Sequence, residues 1–231
     1  MFIVAEIGVN WDGNFDLLKN MMNKSKEIGC NAVKFQAFEP EMVKAHPESK
    51  RLLKSAITKD NIQQINDLAK DIGIEWFCTP MYPDAVDFLN PYVKRFKIRE
   101  FDGRELLENN ETEIFKRLVN TKKEIIVSSE VSPLKTKFYE NQRIRWLYCV
   151  PKYPSKISDH NFTLLKDFDG FSNHCTQYIV PLSAAILGSK ILEIHVTSDK
   201  KKNFVDNQVS YDFNELGNLI NIIKLSEKIK K

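Results

Sequence analysis

The sequence predicts an α/β fold: a (β/α)8 TIM barrel forming a single domain over residues 1–231. Three observations predict it. Short apolar, strand-like runs recur along the chain, amphipathic stretches with helical spacing separate most of them, and no linker or low-complexity break interrupts the alternation. A doubly wound open sheet is the alternative that the same alternation admits.

The predicted strands are residues 2–7, 31–37, 74–78, 94–98, 124–128, 143–149, 170–172 and 190–196. Each is a run of the length expected for a parallel strand covered on both faces. Helical patterns occupy 14–29, closed by Gly29, and 58–72, closed by Gly73, followed by 104–119, 158–167, 176–187 and 212–229. Two connections are irregular. Residues 129–142 hold Pro133 and scattered lysines with weak periodicity, so the crossover helix between strands five and six is expected to be missing or very short. Residues 38–57 are long and polar, carry Pro40 and Pro47, and suit a loop over the active end.

Composition narrows the function classes. The 34 basic and 31 acidic residues are spread along the chain and leave a net charge of +3, which argues against a dedicated nucleic-acid surface. No apolar stretch approaches a membrane span and the first residues lack the pattern of a secretory signal, so a cytoplasmic protein is expected. Cys30, Cys78, Cys149 and Cys175 form no Cys-x-x-Cys pair and read as small core residues, with Cys175 notable for its neighbour His174.

Catalytic groups of such a barrel sit at the carboxyl ends of its strands. There the chain offers Glu6, Lys34 and Gln36, Thr79, Lys97 and Arg99, Ser128, Tyr153, His174 and His195. Alternation puts Lys34 with Gln36, and Lys97 with Arg99, on one side of their strands. Buried cations need an anionic partner or ligand, and three cations against one or two carboxylates point to a phosphorylated or carboxylated substrate. A single buried histidine is usually a satisfied core residue. Two at adjacent strand ends, each beside further polar residues, point to a metal site.

The run Ala5-Glu6-Ile7-Gly8-Val9-Asn10, then Val33-Lys34-Phe35-Gln36, Cys78-Thr79-Pro80, Phe96-Lys97-Ile98, Tyr153-Pro154, Gly170-Phe171-Ser172-Asn173-His174 and Glu193-Ile194-His195-Val196-Thr197 resembles, in order, the catalytic barrel of the sialic acid synthase family. The resemblance implies a metal-dependent condensation of phosphoenolpyruvate with an N-acetylated aminosugar, N-acetylmannosamine or its 6-phosphate, giving a sialic-acid-like nonulosonate and phosphate. It implies a divalent ion, manganese or magnesium, held by His174 and His195. Glu6 would handle the attacking water, Lys34, Lys97 and Ser128 the phosphate and carboxylate oxygens. Gln36, Thr79 and Tyr153 would line the site, and Asp206 with Ser210 would meet the sugar.

The chain also departs from the family pattern. Arg99-Glu100-Phe101-Asp102 replaces Gly-Ser-Gly-Glu, Ser128-Ser129-Glu130 replaces Ser-Thr-Gly, and Pro151-Lys152 precedes the Tyr-Pro pair. These changes remove small residues that let backbone approach a phosphate, and Arg99 and Lys152 are the side chains expected to replace those contacts. The family's C-terminal antifreeze-like domain is expected to be absent, and a homodimer stays open. Two other functions compete: a lyase or aldolase on another keto acid with Lys34 or Lys97 as amine nucleophile, and a non-catalytic sugar-binding barrel.

Overall fold

A computed structural model describes residues 1–229. Eight parallel strands, β1 (Phe2–Glu6), β2 (Ala32–Ala37), β3 (Glu75–Pro80), β4 (Arg95–Ile98), β5 (Glu124–Ser129), β6 (Ile144–Cys149), β7 (Gly170–Asn173) and β8 (Ile191–Thr197), pair in sequence order. The pairing of β8 with β1 closes them into the expected barrel. A two-residue β9 (Tyr211–Asp212) extends the end of β8. The helices are α1 (Phe15–Glu27), α2 (Pro40–Val43), α3 (Ser49–Ser55), α4 (Ile62–Ile72), α5 (Pro83–Leu89), α6 (Glu100–Leu107), α7 (Glu113–Asn120), α8 (Ile179–Ile186) and α9 (Phe213–Ile229). None of the described helices is long and apolar enough to cross a membrane.

Local chemistry explains the boundaries. Asn14 caps α1 by accepting from the Leu17 amide, and Gly73 ends α4 in the left-handed conformation that glycine adopts without a Cβ clash. Strand residues facing outward, among them Val33, Phe35, Trp76 and Phe96, are buried against the helices. Facing inward at the amino end, Arg95 bridges Glu75 and Glu124 and lies over the Phe2 ring, 4.4 Å from its centroid, which closes the bottom of the barrel.

As expected, only a three-residue 3-10 turn, Pro133–Lys135, connects β5 to β6. Other expectations are corrected. The helix expected over 104–119 is two helices, α6 and α7. Asn109 takes a positive φ of 64°, which asparagine tolerates better than most residues, and Thr112 starts α7 afresh by accepting from the Phe115 amide. Residues 158–167 form two 3-10 turns instead of an α-helix. There the Asn161 side chain accepts from the Thr163 amide and competes with helical bonding. Helix α5, begun by Pro83 at its first turn, was not expected. The stretch after β2 is not a plain loop, since it folds into α2 and α3.

Candidate active site

Register brings the first groups together. Glu6 is level with Lys34 on β2 and with His195 on β8, so all three side chains project to the same side at the same height. They line a cavity of about 410 Å³ at the carboxyl end of the barrel. Gln36, Thr79, Lys97, Arg99, Ser128, Tyr153, His174 and Asp206 also line it.

Its floor is a charge network. Lys34 Nζ is 3.0 Å from Glu6 Oε1 and 3.8 Å from Glu193 Oε1, and it donates to Thr79 Oγ1 at 3.3 Å. Lys97 Nζ donates to Ser128 Oγ at 2.6 Å and lies 3.8 Å from the same oxygen of Glu193. Ser172 Oγ donates to that oxygen at 2.9 Å. Glu193 is therefore the carboxylate between the two lysines, a site residue the sequence reading passed over. It stands two positions before His195, and the alternation that pairs Lys34 with Gln36 assigns it inward as well.

The same surroundings shift these groups unequally. Burial pushes the Glu193 carboxyl up, but Lys34 and Lys97 outweigh it and hold the group at about 2. Glu6 is raised, because burial outweighs its lysine. For Lys34, attraction to Glu193 and Glu6 overcomes burial and raises it, whereas burial wins at Lys97 and lowers it. Glu6 Oε1 accepts from Gln36 Nε2 at 2.9 Å, while Oε2 is buried without a partner. Gly8 lets this arrangement exist. Its φ is +52°, and a Cβ there would stand 3.0 Å from Glu6 Oε1 and 3.3 Å from Gln36 Nε2.

The imidazoles form the opposite flank. His174 Nδ1 donates to the Val150 carbonyl at 2.8 Å, which leaves Nε2 as the acceptor for the Tyr153 hydroxyl at 2.9 Å. Tyr153 is 47% exposed at the mouth while its hydroxyl donates inward to His174. The His195 ring lies 5.3 Å from that of His174, with Nδ1 3.5 Å from Asp206 Oδ2. That contact becomes an ion pair only when the imidazole is protonated, and it is longer than the usual range of an N–H to oxygen hydrogen bond. Burial and the neighbouring His195 lower His174 to about 3, whereas Asp206 and Glu6 overcome burial and raise His195.

Both His174 and Glu193 bind protons less readily folded than unfolded, so each makes the native state lose stability as pH falls. For His174 the window runs from 6.5 to about 3, and for Glu193 from 4.5 to about 2. Glu6 and His195 are shifted upward and act in the opposite direction. The informative quantity is thus a difference: His174→Gln in metal-free protein is expected to lose less urea stability between pH 7 and pH 4 than the parent chain. Equal losses would show that His174 is not held neutral.

Other expected residues are placed differently. Ser210 does not line the cavity. It accepts from Asn10 Nδ2 at 2.9 Å and donates to the Asp206 carbonyl at 2.7 Å, bracing the turn that carries Asp206. Lys152 does not line it either, because its ammonium pairs with Asp159 at 2.5 Å. Arg99 lines the mouth with its guanidinium engaged by Asp102 and set near the Phe101 ring. The segment Arg99–Asp102 forms the first turn of α6. That helix lies against β5 so closely that a Cβ on Gly103 would be 2.5 Å from the Ser128 carbonyl oxygen. Glu130 is not among the lining residues. His46, between α2 and α3, also lines the cavity, and so do Cys149 and Ser172.

The fold and the charge network define the class: a (β/α)8 barrel with a buried ionic cluster at the carboxyl ends of its strands. The sequence model of the NeuB family matches residues 21–231, and the chain belongs to that family. It is 30% identical to the N,N'-diacetyllegionaminic acid synthase of Legionella pneumophila, an alignment covering 99% of this chain and 72% of that protein. It is 27% identical to the mouse N-acetylneuraminate-9-phosphate synthase, over 98% of this chain and 70% of that protein. Among solved structures, the N-acetylneuraminic acid (sialic acid) synthetase of Leptospira borgpetersenii in complex with citrate superposes with a TM-score of 0.85 at 22% identity. That match covers 99% of this chain and 84% of that one, and it supports the barrel fold.

Proposed function

We propose that this chain condenses phosphoenolpyruvate with an N-acylated aminosugar to give a sialic-acid-like nonulosonate and inorganic phosphate. The observation that carries the reading is the convergence in one cavity of Lys34 and Lys97 with two imidazoles and a carboxylate, Glu6, that has one free buried oxygen. The two lysines and Ser128 hold the carboxylate and phosphate oxygens of phosphoenolpyruvate. Its C3 attacks the aldehyde carbon of the open-chain sugar. Water adds at C2 while Glu6 Oε2 takes its proton, and collapse of the tetrahedral product releases phosphate. A carboxyl raised toward neutrality suits that task better than one held low like Glu193.

The donor set fits a divalent cation. His174 is held as the tautomer with its Nε2 lone pair free of a proton, and His195 Nδ1 is a buried nitrogen lacking a hydrogen-bond partner. Among the described residues no group of three His, Cys, Asp or Glu side chains is placed to hold a metal ion. The two imidazoles would be the protein's donors, and substrate oxygens would have to complete the shell. When bound, such an ion supplies Lewis acidity to a carbonyl oxygen. The Tyr153 ring packs on the His174 imidazole, 4.1 Å between centroids.

The test is phosphate release from protein incubated with phosphoenolpyruvate, an N-acetylated hexosamine and manganese or magnesium. Release is expected to require all three, to stop on chelation, and to be lost in His195→Ala. Absence of release across a panel of aminosugars, with binding of sugar alone, would turn the reading to a non-catalytic barrel. Borohydride separates it from a Schiff-base lyase, for which Lys97, lowered by burial, is the better-placed amine. A trapped pyruvate adduct would overturn the condensation proposed here.

A further inference from the structure

The loop between β8 and β9 carries Asp206 into the cavity, and its two ends are held independently of that residue. At the outer end the Asn203 carbonyl accepts from Arg51 on α3, whose guanidinium also meets both oxygens of Asp12, each at 2.7 Å. At the inner end Tyr211 pairs with Val196 where β9 joins β8, and its hydroxyl donates to the Cys175 carbonyl at 2.9 Å. Phe204 and Val209 are buried between these anchors.

A third tie goes to the Asp206 turn itself. Asn10, four residues beyond Glu6 in the loop after β1, is fully buried, and its side chain bonds across to β8 and to this turn. Its Oδ1 accepts from the Asp206 N–H at 3.0 Å, while Nδ2 donates to the Val196 carbonyl and to Ser210 Oγ, both at 2.9 Å. Ser210 Oγ in turn donates to the Asp206 carbonyl at 2.7 Å, so the N–H and the C=O of Asp206 are both pinned through one amide. Burying an amide is unfavourable unless it is bonded, and what it offers here is a donor and an acceptor at a single point. The position it fixes is a sensitive one. Asp206 Oδ2 stands 3.5 Å from His195 Nδ1, so a small displacement of the turn decides whether the two groups engage.

Resting on the synthase reading above, we propose that Asn10 is a positioning residue: through the Asp206 N–H and Ser210 it sets the place of the Asp206 carboxylate beside His195. It thereby sets the geometry of the flank where the imidazoles would hold the ion. Asn10 does not itself line the cavity, so its effect passes through Asp206.

The test is a double-mutant cycle of Asn10→Ala and Asp206→Ala, read in phosphate release and in manganese affinity by calorimetry of the metal-free protein. Asn10→Ala alone is expected to lower kcat and to weaken manganese binding, each by about tenfold or more, the scale of a lost supporting contact or a small misplacement. The KM for phosphoenolpyruvate should change little. In the Asp206→Ala background the same substitution is expected to change either readout by less than about twofold, because the group it positions is gone. Equal fold losses in both backgrounds would make Asn10 a structural residue only and overturn the proposal. If Asn10→Ala does not fold, Ser210→Ala, which removes the bond to the Asp206 carbonyl, runs the same cycle with an expected loss of about two- to tenfold. A parent chain that binds manganese but releases no phosphate overturns the synthase reading alone, and the manganese cycle still decides on Asn10. A parent chain that does neither overturns both.

Discussion

Replacing Glu6 with glutamine is expected to lower the rate of phosphate release by about 10²- to 10⁴-fold, the range over which a positioned general base contributes. The substitution keeps the shape of the side chain and removes its basicity. Glu6 Oε1 is fixed by Lys34 and Gln36, whereas Oε2 has no partner in a fully buried setting. Glu6 lines the cavity, so this unpartnered oxygen is the one left to take a proton. The fall should appear in kcat, with the KM for phosphoenolpyruvate changed far less, because Lys34 and Lys97 remain. Since burial raises Glu6, the parent rate should decline on the acid side as this carboxylate is protonated, and the residual rate of Glu6→Gln should not follow that decline. Parent-like turnover in Glu6→Gln would remove the residue from proton transfer.

Glu193→Leu should be the most destabilising change in the site. Its carboxylate faces both buried lysines at 3.8 Å and accepts from Ser172. Without it, Lys34 keeps Glu6 as its ion-pair partner and Lys97 loses its own. Removing one partner of a buried ionic cluster typically costs about 3–5 kcal/mol, chiefly because an uncompensated charge is left behind. Urea denaturation measures the loss. The double variant Glu193→Leu with Lys97→Met removes charge on both sides and is expected to recover part of it, which separates charge imbalance from damaged packing. A single variant as stable as the parent would show that Lys34 and Lys97 find other compensation.

Much of this was legible in the chain. The eight strands are apolar runs buried on both faces, and the structure moves their ends by no more than two residues. The weak 129–142 crossover was equally readable from Pro133. Helical boundaries were less so: 104–119 keeps its amphipathic spacing through Asn109, and only the left-handed turn there separates α6 from α7. Glu193 was readable in principle from its spacing to His195. The positions of Lys152 and Ser210 were not, because a strand-end position does not reveal whether a neighbouring loop offers a competing partner such as Asp159 or Asn10.

By itself, the sequence determined the eight strands and most of the polar side chains at their carboxyl ends. A parallel strand alternates sides every residue, so a local pattern is enough to say which residues face inward and at which end. Only the tertiary structure decided how those charges combine. Lys34, Lys97 and Glu193 lie on β2, β4 and β8, and their separations depend on the closure of β8 onto β1 and on the register of every pair between. The lining that α2 and α3 add through Met42, Val43 and Leu52 is a tertiary feature for the same reason, since it forms only after the chain has folded back over the strand ends.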